Sequence, residues 1–273
     1  MEKVKKFLHD MVKEKELFFF MSGKPVEHIL SVIMTLIMLG GVLFGSKQIA
    51  YITNAKMAAN NLHMHGNNEK VLPVTGEESI IVVIDAGHGG RDAGKTSASG
   101  IREKDINLQI ALLLKDEMEK AGVQVVMTRE TDEGLYKESD SNKKVADLKK
   151  RISIIKESGC VLAVSIHQNS YSDKKVKGAQ TFYYSSSKEG KKLAEIIQKG
   201  IVENVDTDNH RKAKGNDTYY LLKKTTVPLV IVECGFLSNP EEAALLNTND
   251  YQVNMARQIA ESIMEYIGLT NQG

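Results

Sequence analysis

The chain has 273 residues, with 36 Lys and Arg against 35 Asp and Glu and a hydrophobic fraction of 42%, the balance of an ordinary globular protein. Aromatics reach only 6%, with no Trp, 4 Pro and 21 Gly, which excludes collagen-like and proline-rich architectures and disfavours a nucleic-acid binder. Charge is balanced on both sides of residue 78, so electrostatics name no partner, and two cysteines, Cys160 and Cys234, are too few for a disulfide scaffold or a structural zinc finger.

Residues 29–46 (ILSVIMTLIMLGGVLFGS) carry no charge. At ~1.5 Å per residue such a helix spans nearly the ~30 Å hydrocarbon core of a bilayer. Six lysines precede it, from Lys3 to Lys24, and only Lys47, Lys56 and Lys70 follow before the next apolar run. The positive-inside rule then places residues 1–28 in the cytoplasm and everything after residue 50 outside it. An uncleaved anchor is the favoured reading over a cleaved signal peptide, because the lead is long and no A-x-A site follows Ser46. Residues 47–78 lack periodicity and end near Pro73 and Gly76, as a linker does.

Residues 79–270 suit one domain. Apolar runs at 80–85, 123–128, 161–166, 179–184 and 229–232 read as strands, and amphipathic stretches at 104–121, 145–158, 188–203 and 250–267 read as helices. Gly122 and Gly159 stand where helix stops belong. Strands apolar on both faces, alternating with helices, predict an α/β fold: an open, mainly parallel twisted sheet covered on both sides. Asp85 and His88 then fall at the end of the first strand, His167 after the third and Glu233 after the last, where such sheets gather ligand groups.

Gly89 to Thr96 (GGRDAGKT) satisfies the phosphate-loop pattern. A nucleotide loop needs a helix starting at the Gly-Lys-Thr, and Ser97, Ala98, Ser99 and Gly100 make a poor first turn, so no nucleotide is expected. His88, Glu103 and His167 offer the two imidazoles and one carboxylate of a catalytic zinc site, with a fourth position left for water. Their spacings, 14 and then 63 intervening residues, are too loose to be a motif by themselves.

Together, VVIDAGHGGRDAG, GIREKDINLQIA, TRETD, SIHQNS, GAQTFYY and VIVECGFLSNPEE resemble the zinc-dependent N-acetylmuramoyl-L-alanine amidases of the amidase-3 family, in order and across about residues 80–267. Within the family the chain is most similar to germination-specific spore-cortex members from endospore formers, through GAQTFYY, the RKAK stretch at 211–214 before Tyr220, and one membrane segment preceding one catalytic domain. The resemblance implies an architecture similar to zinc carboxypeptidase-like hydrolases. It also implies a Zn2+ cofactor held by His88, Glu103 and His167, Glu233 as the catalytic carboxylate, and peptidoglycan as substrate. A partner is expected to be an accessory sporulation protein, with the catalytic domain outside the cytoplasm; a vegetative or cell-separation amidase is the alternative role, and a non-catalytic homologue the remaining class. One departure is Ala86, where family members commonly have Pro.

Further candidates are Asn169 and Ser165 flanking His167, Arg129 as a partner for a substrate carboxylate or a structural ion pair, and Asp85 as a support for an imidazole or a turn. A basic cluster, Lys143, Lys144, Lys149, Lys150 and Arg151, reads as a solvated helix face. Cys234 invites a thiol mechanism, but strand alternation sends it to the core if Glu233 faces a cleft.

Overall fold

The computed structural model describes residues 80–270; the anchor expected at 29–46, with its lead and linker, lies outside them. Among the described residues no helix is long and apolar enough to cross a membrane. In chain order the elements are β1 (Ile81–Ala86), α1 (Glu103–Lys120), β2 (Gln124–Met127), α2 (Lys143–Glu157), β3 (Leu162–Asn169), β4 (Gln180–Tyr183), α3 (Lys188–Asn204), β5 (Lys214–Gly215), α4 (Tyr220–Lys224), β6 (Leu229–Phe236), α5 (Pro240–Leu246) and α6 (Asn249–Thr270). Among the described residues every expected strand and helix is present; the short α4, α5 and β5 are additions.

The strands form one sheet in the order β2-β1-β3-β6-β4-β5. β2, β1, β3 and β6 run parallel, whereas β4 pairs antiparallel with β6. A parallel return needs a crossover of a dozen or more residues, usually a helix. No helix stands between β3 and β4, and β4 skips past β6 and comes back reversed.

Alternation along the strands sorts side chains by face. Val82, Ile84, Leu162, Val164, Ile166, Val230, Val232 and Cys234 point to one side, where α1, α3 and α6 cover them. Val83, Ala163, Leu229 and Ile231 point to the other, under α2 and α4. The α6 face expected from its periodicity is the buried one: Ala256, Ile259, Ala260, Ile263 and Ile267 are all in the core. Helix starts follow side-chain caps, with Asn142 accepting from the Val145 amide, Ser187 from Gly190, and Asn239 from Glu241 and Glu242. Gly122 and Gly159 take left-handed φ values of 83° and 69°, as helix stops do.

Candidate metal centre and active site

The same alternation that buries Val164 and Ile166 puts Asp85, Ser165, His167 and Glu233 on the α2–α4 side, and the sheet register sets His167 directly beside Glu233. They floor a cleft of about 670 Å³ at the carboxyl end of the parallel strands. His88 arrives from the loop after β1, and Glu103, the first residue of α1, reaches over the sheet edge to meet both histidines.

Ligand atoms of His88, Glu103 and His167 lie within 4.8 Å of one another. Glu103 Oε1 is 3.1 Å from His88 Nε2 and 3.0 Å from His167 Nδ1, and also accepts from the Gln168 amide; its Oε2 accepts from the Lys95 amide at 2.7 Å. On the far side of the His88 ring, Nδ1 meets Asp92 Oδ2 at 2.9 Å. A carboxylate behind a ligand imidazole fixes its tautomer and raises its basicity. Burial lowers the His88 pKa, but hydrogen bonds to Asp92 and Glu103 outweigh that and push it up to about 9. Desolvation opposes the Glu103 carboxylate, yet hydrogen bonds from His167 and His88 hold it well below the usual range. The cluster thus favours positive charge at its centre, and two imidazoles with one carboxylate suit a catalytic zinc that keeps an open position.

Across the cleft, Glu233 Oε1 accepts from the Tyr219 hydroxyl at 3.2 Å, while Oε2 is buried with no protein partner. Burial pushes the Glu233 carboxyl up, and Glu103 adds to this, against His167 and Tyr219. A carboxylate oxygen without a protein partner, on the strand beside the ligand-type His167, suits a general base.

The loop carrying His88 is held from below. Arg151 donates to Asp85 Oδ1 at 2.6 Å, to Ala86 O at 2.7 Å, to His88 O at 2.6 Å and to Asp147 Oδ2 at 2.6 Å. Arg129 donates to the carbonyls of Ala86, Gly87, Lys104 and Thr131. His88 itself takes φ 61°, unusual for a residue with a side chain, and the grip on its carbonyl stabilises that strain.

The chain is similar to known proteins. Residues 82–265 match the family model for N-acetylmuramoyl-L-alanine amidase, Amidase_3. The chain belongs to this amidase family. It is 38% identical over 198 residues to the germination-specific N-acetylmuramoyl-L-alanine amidase of Bacillus subtilis, covering 71% of this chain and 81% of that one. The CwlD amidase of Clostridioides difficile, solved in complex with the GerS lipoprotein, is 40% identical with a TM-score of 0.68, over 70% of this chain and all of that one. A second Clostridium difficile amidase structure is 30% identical with a TM-score of 0.62, covering 70% and 97%.

The amidase brings His88, Glu103, His167 and Glu233 to one point, and Asn169 lines the same cleft, its Oδ1 accepting from the Ser170 amide. Arg129 is elsewhere: it is 5% exposed, and its guanidinium faces backbone carbonyls rather than the cleft or an ionic partner. Asp85 supports no imidazole; it accepts from Thr128, Arg151 and Ser165, and although desolvation opposes it, Arg151 helps hold its pKa at about 2. The basic cluster is not one solvated face, because Arg151 is only 2% exposed. Cys234 is fully buried on the opposite face from Glu233, and desolvation pushes its thiol far up. The Gly-Lys-Thr stretch begins no helix; α1 starts at Glu103.

From the sequence, Tyr219 reads as strand packing or as a ring that could stack on a sugar; the structure instead places it at the start of α4 with its hydroxyl on Glu233. An Asx turn at Asn216, whose side chain accepts from the Thr218 and Tyr219 amides, presents it, and Asn216 in NDTYY was the available signal. Gly87, expected only to ease the turn into His88, has a further role: a Cβ there would come within 2.3 Å of the His167 ring, so only glycine leaves room for the imidazole. Gly87→Ala is expected to displace His167 and weaken metal binding by roughly 10–100-fold, checked by competition with a chromophoric chelator.

Proposed function

We propose that this peptidoglycan amidase is a zinc enzyme of the spore cortex. It would cut the amide between the lactyl group of N-acetylmuramic acid and L-alanine, and so supply the denuded muramic acid from which muramic-lactam forms. The observation that carries the chemistry is the three-donor cluster of His88, Glu103 and His167 in the same cleft as Glu233, whose Oε2 has no protein partner. When bound, zinc supplies a water of lowered pKa and polarises the substrate carbonyl. Glu233 Oε2 takes the proton of the attacking water and returns it to the departing alanine nitrogen, which is a poor leaving group until protonated. Tyr219 holds the other carboxylate oxygen, so the acting one keeps its aim. Asn169 is the residue at hand to orient the substrate on the His167 side of the cleft.

The cortex role rests on the germination-specific relative, and the CwlD amidase was solved with a lipoprotein partner. A comparable accessory protein is proposed here, with the catalytic domain outside the cytoplasm and tethered through residues 29–46. Purified protein is expected to release stem peptides from peptidoglycan, to lose that activity on chelation and to regain it with zinc. Cys234→Ser is expected to leave the rate within about twofold, since the thiol is buried away from the cleft. Activity surviving chelation but lost to a thiol reagent would overturn the zinc reading. For the biological role, deletion followed by cortex muropeptide analysis decides: normal lactam content would sink it in favour of a vegetative function.

A further inference from the structure

The charged groups that line the cleft are nearly all committed to one another. His88 is tied to Asp92 and Glu103, His167 to Glu103, and Arg151 to Asp85 and Asp147. Two cations are not: the ammonium groups of Lys95 and Lys144 line the cleft, are exposed, and make neither a hydrogen bond nor an ion pair among the described residues.

Their positions are not what local stability selects. Lys144 is the second residue of α2, whose first turn holds Lys143 and Lys144 and no acid, so the positive end of the helix dipole faces two like charges. Lys143 offsets this through Glu138 at 3.2 Å; Lys144 has no ion pair among the described residues, although its charge helps lower the pKa of Asp92. Beyond Lys144 the cleft continues into a hollow of about 300 Å³ that shares Asp92, Lys144 and Asp147 with it and adds Arg91, Lys143 and Tyr136. Both shared carboxylates already have partners, His88 for Asp92 and Arg151 for Asp147.

The sheet order makes the arrangement directional. With β3 and His167 in the centre, the β1 side carries Lys95 and Lys144, while the β6 side carries Glu233 and a wall of Thr218, Tyr219, Tyr220 and Leu221 without a formal positive charge. The two parts of the substrate differ in the same sense: on one side of the scissile amide is a neutral acetylated sugar, on the other a peptide bearing carboxylates.

We propose that Lys95 and Lys144 form a carboxylate-binding subsite for the stem peptide, so that the peptide leaves the metal centre along the β1 side and the muramic acid lies against the tyrosines. The assignment rests on the amidase reading and adds substrate polarity and specificity to it. Exposed ion pairs are weak one at a time, so the expected contribution is about threefold in affinity for each lysine and about tenfold for both.

The test uses the full chain, zinc-loaded, with Glu233→Gln so that ligand is bound and not consumed. Calorimetry would compare N-acetylmuramoyl-L-alanyl-D-glutamate with its isoglutamine counterpart, in which one carboxylate has become a neutral amide. The expected result is a tighter Kd for the acid, a preference that shrinks with added salt and is lost in the Lys95→Gln/Lys144→Gln double variant. Equal affinity for the two ligands, or a preference that survives the double substitution, would overturn the subsite. Failure of the amidase reading looks different: protein with Glu233 intact would release no amine from either ligand while still discriminating between them in binding.

Discussion

Glu233→Gln is expected to lower turnover of peptidoglycan by about 10²–10⁴-fold while leaving the fold and the bound metal in place. The substitution keeps the shape and removes the ability to accept a proton, and Gln retains an oxygen for the Tyr219 hydroxyl, which donates to Oε1 at 3.2 Å. Stability should be unchanged or slightly higher. A buried carboxylate with an unpartnered oxygen, whose pKa is pushed up by desolvation, favours folding less than a neutral amide of equal size. His88, Glu103 and His167 are untouched, so zinc content should match that of the parent protein. Turnover, metal analysis and a melting curve on one preparation check all three. A variant that loses its zinc together with its activity would assign Glu233 to the ligand set instead, and one that keeps most of its rate would remove it from the chemistry. Tyr219→Phe belongs to the same experiment: it is expected to cost about tenfold, because it frees Oε1 without removing the base.

How far the sequence foretold this site depends on the range of each interaction. Period-two alternation needs only adjacent residues, and it placed Glu233 and Cys234 on opposite faces before any coordinates. Hydrophobic runs placed the strands but ended them too early: β3 and β6 continue past His167 and Glu233, polar residues that the apolar runs left just outside. The antiparallel β4 was missed although the signal was there, since residues 166–179 hold no helical stretch to carry a parallel return. The helix α5 announces itself in Asn239-Pro240-Glu241-Glu242, a cap followed by proline in the first turn. Those residues served only as part of a family motif in the sequence reading. Arg151 is the instructive failure. Its neighbours Lys149 and Lys150 are exposed, and nothing within a helical turn shows that its guanidinium reaches Asp85, 66 residues earlier. Buried ion pairs between distant segments leave no local pattern; an arginine among lysines reads as surface until the sheet is assembled above it. Arg129 misled in the same way, as a charge with no visible partner that turns out to serve carbonyls of the β1 loop.

That hidden arginine carries the other large effect. Arg151→Met is expected to destabilise the catalytic domain by about 3–5 kcal/mol, because it leaves Asp85, 1% exposed, without its cation and removes one donor each from the carbonyls of Ala86 and His88. At roughly 2–4 °C per kcal/mol for a domain of this size, the melting temperature should fall by roughly 6–20 °C. The double variant Asp85→Asn/Arg151→Met should lose less than the sum of the two single variants, since each alone strands a buried charge. The pH dependence has a definite sign. Asp85 titrates at about 2 in the folded protein, and near ~3.9 in an unfolded chain. Its contribution is therefore complete above pH ~4 and is lost as pH falls through 2, so the gap between parent and Arg151→Met should narrow across that window. Function should suffer before the fold does. Arg151 grips the carbonyl of His88, the one described non-glycine residue with positive φ, and without that grip the imidazole has less reason to stay aimed at Glu103. Zinc affinity should fall by roughly 10–100-fold at temperatures where the variant is still folded. If metal binding were unchanged while stability dropped, the arginine would be a purely structural strut, and the link between the buried ion pair and the metal centre would be broken.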